Sequence, residues 1–406
     1  MKILFTNIWL VNYAGTEVGI RDMALELVRR GHEAEVYSPA LGAIAEDMQK
    51  AGIHVTDSVH KLRLKPDIIH AQHFTPALDV MLHFPDVPAL YMLHDRTHPA
   101  DDPPLYSQVL QYIAVDYNCL DRLIIDNGIE KEKTGILFNY VDTDRFKLRD
   151  KIAEKPKKAV VFSNYANPGN YFRDIAEACT KAGITLEGIG LGFGNPVKDP
   201  GKVLHGYDLV FAKAKAAMEA MATGAAVITC DFRGLGAFVD SSNRDHFRKF
   251  NFGMKTLNRP IETDLILEEI NKYNPREIMD TARWIRQEAS FSRYIDDLEA
   301  VYHNNILAFR NRQFVGFQVD DMRTLELYVA ERVAKASRSD DHRVEEMKRL
   351  REQNDLNLSA LKTAKIKLEK ENRILRRNHE IIANSWSYRF GRLITLPLRL
   401  IWNLFK

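Results

Sequence analysis

At 406 residues and 45% hydrophobic content, the chain is long enough to bury two full cores and carry an appendage. Its three cysteines (Cys119, Cys179, Cys230) are odd in number and have no metal spacing, which excludes a disulfide framework and points to a reducing compartment. The net charge of +2 hides an asymmetry: residues 331–406 hold 18 Lys+Arg against 10 Asp+Glu, and the first 330 hold 39 against 45, an acidic body with a basic tail that does not fit a nucleic-acid binder. The opening MKILFTNIWL has no charged leader and no small-residue cleavage site, and no apolar run reaches transmembrane length. A cytoplasmic protein without a signal peptide is expected.

In chain order, Met1 to Thr6 reads as a buried strand. Glu17 to Gly31 follows as an amphipathic helix with Ile20, Met23, Ala24, Leu27 and Val28 on one face, and Glu35 to Tyr37 as the next strand. This is a βαβ unit with Gly15 and Thr16 in the loop before its helix. PDIIHAQHF is a strand ending at His70, with His73 just beyond, and Ala89 to Leu93 is a strand ending at His94. Histidines at the carboxyl ends of parallel strands face one crevice, although each is also compatible with a structural role. KIAEKPKK, residues 151–158, has the composition of an interdomain linker. A strand from Ala159 to Ser163 opens a second domain, followed by the loop Ser163-Asn164-Tyr165. The strand from Thr185 to Gly190 leads into Gly190-Leu191-Gly192-Phe193-Gly194, read as a close backbone approach to a nucleotide.

The stretch from Val203 to Val239 carries the most chemistry. It reads as a strand (Leu209 to Phe211), a basic loop with Lys213 and Lys215, a small-residue helix carrying Glu219, a strand from Ala225 to Cys230, and a turn around Gly234 and Gly236. Lysines at the carboxyl edge, beside a helix N-terminus whose free N–H groups favour anions, suit a diphosphate. A carboxylate one turn further along suits the hydroxyls of a ribose.

Four motifs carry a resemblance. EAMATGAAVIT (Glu219 to Thr229) resembles the donor-site signature of the retaining GT-B glycosyltransferases. AGTEVGIRDMALELVRRGHEAEVYS resembles that family's first βαβ unit, and ILFNYVDTDRF (Ile136 to Phe146) its element closing the first domain, with Tyr140 where a glycine is usual. FSRYIDDLEAVY looks like its last helix, which crosses back to brace the first domain, so the resemblance covers roughly residues 1 to 305. It implies an α/β fold of two Rossmann-like domains (1–150, acceptor side, and 151–305, nucleotide-sugar side) facing a cleft. It also implies a nucleotide sugar as co-substrate, no other cofactor and no metal. By the same resemblance Glu219 binds the ribose, His94 contacts the transferred sugar, and the loop of Gly15 and Thr16 lies near donor phosphates and acceptor. Ser163 and Asn164 face the cleft where the family has a glycine and a basic residue, so the phosphate role passes to Lys213 and Lys215. Gly192 and Gly234 complete the expected donor site, and His94, Lys215 and Glu219 its catalytic set. The family's second glutamate, seven residues before Glu219, is replaced by Ala212.

After a helical connector (306–340), residues 341–383 repeat every seven. Met347, Asn354, Leu361, Leu368, Leu375 and Ile382 fall at d, and Val344, Arg351, Leu358, Lys365, Asn372 and His379 at a. That pattern predicts a coiled coil, with a homodimer favoured over a lone spacer helix. Residues 385–406, with four bases, no acid and many aromatics, suit the membrane–water interface, placing the protein on the inner face of a membrane. The expected function is transfer of a sugar, with retention, to a glycan or lipid-linked acceptor in surface polysaccharide biosynthesis. The alternatives are a non-catalytic GT-B scaffold of a polysaccharide assembly complex and a nucleotide-sugar epimerase. The donor sugar, the nucleotide, the acceptor and the linkage are not encoded in any motif.

Overall fold

A computed structural model describes residues 1–312 except 14, 64 and 198, residues 318–334, and scattered positions between 365 and 380. Near-continuous apolar runs such as Ile3-Leu4-Phe5 and Ala89 to Leu93 are buried on both faces, the signature of a parallel sheet covered by helices on each side. The first sheet has seven parallel strands: β1 (Lys2–Thr6), β2 (Glu33–Tyr37), β3 (His54–Thr56), β4 (Ile68–Ala71), β5 (Ala89–Leu93), β6 (Val109–Ala114) and β7 (Thr134–Ile136). Their spatial order is β3-β2-β1-β4-β5-β6-β7. The second sheet holds β8 (Lys158–Phe162), β9 (Thr185–Ile189), β10 (Leu209–Ala212), β11 (Ala226–Asp231) and β12 (Gly234–Phe238), in the order β12-β11-β10-β8-β9. All its pairings are parallel except β11 with β12. In each sheet the chain reverses its direction of winding once, between β1 and β4 and between β8 and β10, and ligands of such sheets bind outside the carboxyl ends at that point.

Two local expectations are corrected. Val28 is 41% exposed, because it stands at the rim of the stripe formed by Ile20, Met23, Ala24 and Leu27 on the helix Gly15–Arg29. Gly234 and Gly236 are not a turn but the start of antiparallel β12. A Cβ on Gly236 would lie 1.9 Å from Thr229 Oγ1, so the glycine serves the close pairing of the hairpin.

The helix Phe291–Asn311 joins the first lobe's core through Tyr294, Ile295, Leu298 and Tyr302. Tyr302 hydrogen-bonds His70 Nδ1 at 2.6 Å, and Asn305 donates to Gln111 at 2.9 Å. Further along, Asp321 accepts from the Ser107 N–H at 2.6 Å and Thr324 donates to the Leu105 carbonyl at 2.9 Å. Residues 1–328 thus form one compact unit, and 329–406 are a second. Most of the coiled coil 341–383 and all of the segment 385–406 lie outside the described residues. No helix among the described residues is long and apolar enough to cross a membrane.

Candidate active site

A cleft of about 430 Å³ runs between the lobes. Asn12, Tyr13, Gly15, Val18 and Arg21 line it from the first lobe, and Asn164, Val197, Lys215 and Glu219 from the second, with Arg145 between them. A recess of about 170 Å³ shares Phe162, Asn164 and Ala216 with it and adds Ser163, Tyr165 and Lys213. Both open at the carboxyl ends of β8 and β10, where the winding of the second sheet reverses.

The helix Ala214–Ala222 begins directly after β10, and its small residues let it pack closely on the sheet, with Ala217 and Met218 fully buried. That packing places Glu219 at the wall of the cleft, 9% exposed, its carboxyl accepting no hydrogen bond from the described residues. Burial pushes its carboxyl up to about 7; Lys215 and Arg145 oppose the shift, and Asp22 and Asp142 add to it. Lys215, one turn earlier on the same helix, has its ammonium 4.4 Å from the centre of the Tyr140 ring and 3.9 Å from Asp22. Arg145, from the DTDRF motif, hydrogen-bonds Asp199 at 3.2 Å. Arg145 and Arg21 were not expected from the sequence, although Arg145 stands inside a motif that drew attention.

Lys213 takes a different course from Lys215. Its ammonium is ion-paired with Asp231, a carboxylate 1% exposed, and lies 5.5 and 5.7 Å from the rings of Tyr165 and Phe232. The expected basic loop is shorter than read from the sequence: Lys213 precedes the helix Ala214–Ala222 and Lys215 stands on it, and of the two it is Lys215 that lines the main cleft. In the glycine string, Gly190 and Leu191 line the cleft, and the glycines also make a contact the sequence did not reveal. A Cβ on Gly190 would lie 2.2 Å from the Ser163 carbonyl, and one on Gly192 2.1 Å from that of Ala166, so both glycines admit the neighbouring loop. Gly15 lines the cleft, whereas Thr16 donates to Glu17 at 2.9 Å. Phe211 and Ala212, the last residues of β10, bring no carboxylate to the cleft.

On the first lobe the three histidines gather as expected, and two have partners. His70 holds Tyr302, and His73 Nδ1 accepts from the Ile8 N–H at 3.3 Å while its Nε2 lies 3.9 Å from Asp101. His94 is half-buried, with Nε2 sealed from solvent and without a hydrogen-bond partner among the described residues. Burial pushes all three imidazoles down to about 3, with the Lys215 charge adding to the effect at His94, so they are neutral. Burial also raises Asp101 to about 7, whereas Asp95, the residue after His94, is held below its ordinary value, despite partial burial, by hydrogen bonds from Thr97 and His98 and keeps its charge. Among the described residues no cluster of three His, Cys, Asp or Glu is arranged to hold a metal.

Residues 13–145 match the model of the Glycosyltransferase Family 4. No curated protein matches the chain by sequence. Among solved structures, a glycosyltransferase from Rickettsia africae has a TM-score of 0.57 at 14% identity, over 77% of this chain and 99% of its own. HepE of Anabaena, in complex with UDP and glucose, has 0.55 at 16% identity, over 75% of this chain and 100% of its own. WaaG, a glycosyltransferase involved in lipopolysaccharide biosynthesis, has 0.51 at 14% identity, over 75% and 99%. The chain has the two-lobed GT-B fold that these structures share, and its first lobe carries the Glycosyltransferase Family 4 pattern.

Proposed function

We propose that this protein is a glycosyltransferase that moves a sugar from a nucleoside diphosphate sugar to a hydroxyl of a glycan or lipid-linked acceptor, with retention and without a required metal. The observation that carries the reading is Glu219: a carboxyl at the wall of an interlobe cleft, without a hydrogen bond among the described residues and flanked by Lys215 and Arg145 at the winding reversal of the second sheet. A ribose offers two adjacent hydroxyl donors to such a group, and Lys215 with Arg145 supplies positive charge for the diphosphate. The similarity to HepE, crystallised with UDP and glucose, supports the same assignment.

In the reaction the bond between the anomeric carbon and the diphosphate oxygen breaks with its electron pair leaving on the phosphate. The acceptor hydroxyl oxygen bonds to that carbon, and its proton passes to the departing diphosphate. The cations stabilise the charge that develops on the leaving group in a cleft shielded from water. His94, neutral at physiological pH, borders the transferred sugar as a hydrogen-bonding group. Ser163, Asn164 and Lys213 line the adjoining recess, and Gly15 the acceptor-side wall. The coiled coil and the basic aromatic tail would pair two copies and hold them at the inner face of a membrane, which suits surface polysaccharide synthesis.

The scaffold reading keeps two observations in its favour: Lys213 is committed to Asp231, and no carboxylate ends β10. Thermal shift of the full chain against UDP-, GDP- and dTDP-sugars separates the two. A ligand at about 100 times its dissociation constant stabilises by about 2.7 kcal/mol. One selective shift is expected, weakened about tenfold or more in affinity by Glu219→Ala, which removes a charge-assisted pair of hydrogen bonds. A flat panel with a folded protein supports the scaffold.

A further inference from the structure

Four non-glycine residues among those described have positive φ: His73 (60°), Ala214 (52°), Asn251 (47°) and Phe252 (56°). Left-handed backbone is unfavourable for residues with a Cβ and persists only where the surroundings impose it. Three of the four lie on one path of hydrogen bonds that starts in the first lobe and ends in the cleft. Past the carboxyl end of β6, the Val115 carbonyl accepts from Asn251 Nδ2, and the Tyr117 N–H donates to the Lys249 carbonyl at 3.1 Å. Asn251 is 2% exposed, and its Oδ1 accepts from Arg248 at 2.9 Å. The next residue, Phe252, is buried against Phe247 and Trp284, and its carbonyl accepts from the Ala214 N–H at 2.9 Å. Ala214 is the residue between Lys213 and Lys215. The first lobe also meets the far side of this turn, through Asp22 and the Tyr140 ring against Lys215. Tyr140 is itself fixed by stacking on Phe291 at 4.3 Å.

We propose that Asn251 is a positioning residue that couples apposition of the two lobes to the conformation of the Lys213–Lys215 turn. Val115 and Tyr117 hold the 249–252 turn in its left-handed form. That form aims the Phe252 carbonyl at the Ala214 N–H, and so sets the lysines at the start of the helix Ala214–Ala222. When the lobes part, the 249–252 turn loses its partners in the first lobe and the lysine turn loses its anchor, so the donor side is complete only in the closed molecule. The binding consequence rests on the donor-site reading above, whereas the conformational coupling does not.

Asn251→Gly tests this in the full chain: glycine accepts the positive φ, and both the interlobe bond to Val115 and the bond from Arg248 are lost. Asn251→Asp is the second variant, retaining the acceptor for Arg248 while removing the donor to Val115. Ile270→Val, in the second lobe's core on the other side of the sheet, controls for general destabilisation. Hydrogen–deuterium exchange should accelerate about fivefold in peptides spanning 210–218 in both Asn251 variants and not in the control, the scale of one lost hydrogen bond. Acceleration confined to 247–253 overturns the coupling. Titration with UDP, GDP and dTDP should show a similar loss of affinity for whichever binds the parent protein. If none binds the parent while exchange at 210–218 still responds, the donor reading fails and the coupling stands. If exchange responds and nucleotide affinity is unchanged, the positioning role is overturned.

Discussion

The carboxyl edges of the two sheets are built on the same plan and filled in opposite ways. At the first, His70, Gln72, His73 and Asp101 are buried, the three imidazoles are neutral, and sealed polar atoms on Asn7, Gln72, His94 and Asp101 have no hydrogen-bond partner among the described residues. At the second, Lys215 and Arg145 stand near the Glu219 carboxyl, and Lys213 is paired with Asp231. Under the proposed function, the neutral imidazoles of the first edge face the transferred sugar and the cations of the second face the diphosphate. Duplicated architecture fixes where a ligand can sit; the side chains past each strand end fix which ligand it is.

Titration offers the sharpest way to break this contrast, because the two edges respond to pH with opposite sign. The unfolded histidines titrate near 6.5 and the folded ones near 3, so the unfolded chain takes up protons first and stability falls as pH drops through that window. Each histidine is worth about 1.4 kcal/mol per pH unit, so between about pH 6.5 and pH 5 the three should remove several kcal/mol. Urea midpoints across this range measure it, and a flat profile would mean that the first edge is solvated. Glu219 acts in the other direction. Its folded value near 7 lies above its ordinary 4.5, so its burial destabilises increasingly as pH rises through that interval. Glu219→Gln should therefore be more stable than the parent by roughly 2–3 kcal/mol at about pH 8, with the difference vanishing toward pH 4.5. Equal stability at pH 8 would place Glu219 in water. The smallest effect is expected from Tyr302→Phe, which leaves His70 Nδ1 unpaired and should cost about 1–2 kcal/mol of unfolding free energy. A neutral result there would remove the brace between the Phe291–Asn311 helix and the first edge.

Much of the fold was legible because its signals are local. Buried parallel strands read as apolar runs, and the helix face of Ile20, Met23, Ala24 and Leu27 follows from a 3.6-residue period. The rim position of Val28 escaped because a stripe's width is set by what packs against it. In the glycine string, the residues were visible and their purpose was not: Gly190 and Gly192 accommodate carbonyls of Ser163 and Ala166, some 26 residues earlier in the chain. The pairing of Lys213 with Asp231 was hidden for the same reason, since the carboxylate arrives on the neighbouring strand.

By itself the sequence determined the strand-and-helix alternation, the placing of Lys213 and Lys215 at a strand end ahead of the helix that carries Glu219, and histidines at the ends of two strands. Each depends on spacing within a few residues along the chain. Tertiary structure alone decided that Lys215 rather than Lys213 lines the main cleft, that Arg21 and Arg145 join it, and that a left-handed turn at Asn251 reaches from one lobe to the other. Those outcomes depend on which distant segments meet at the carboxyl edges, and such meetings are set by sheet order and lobe apposition rather than by any local pattern.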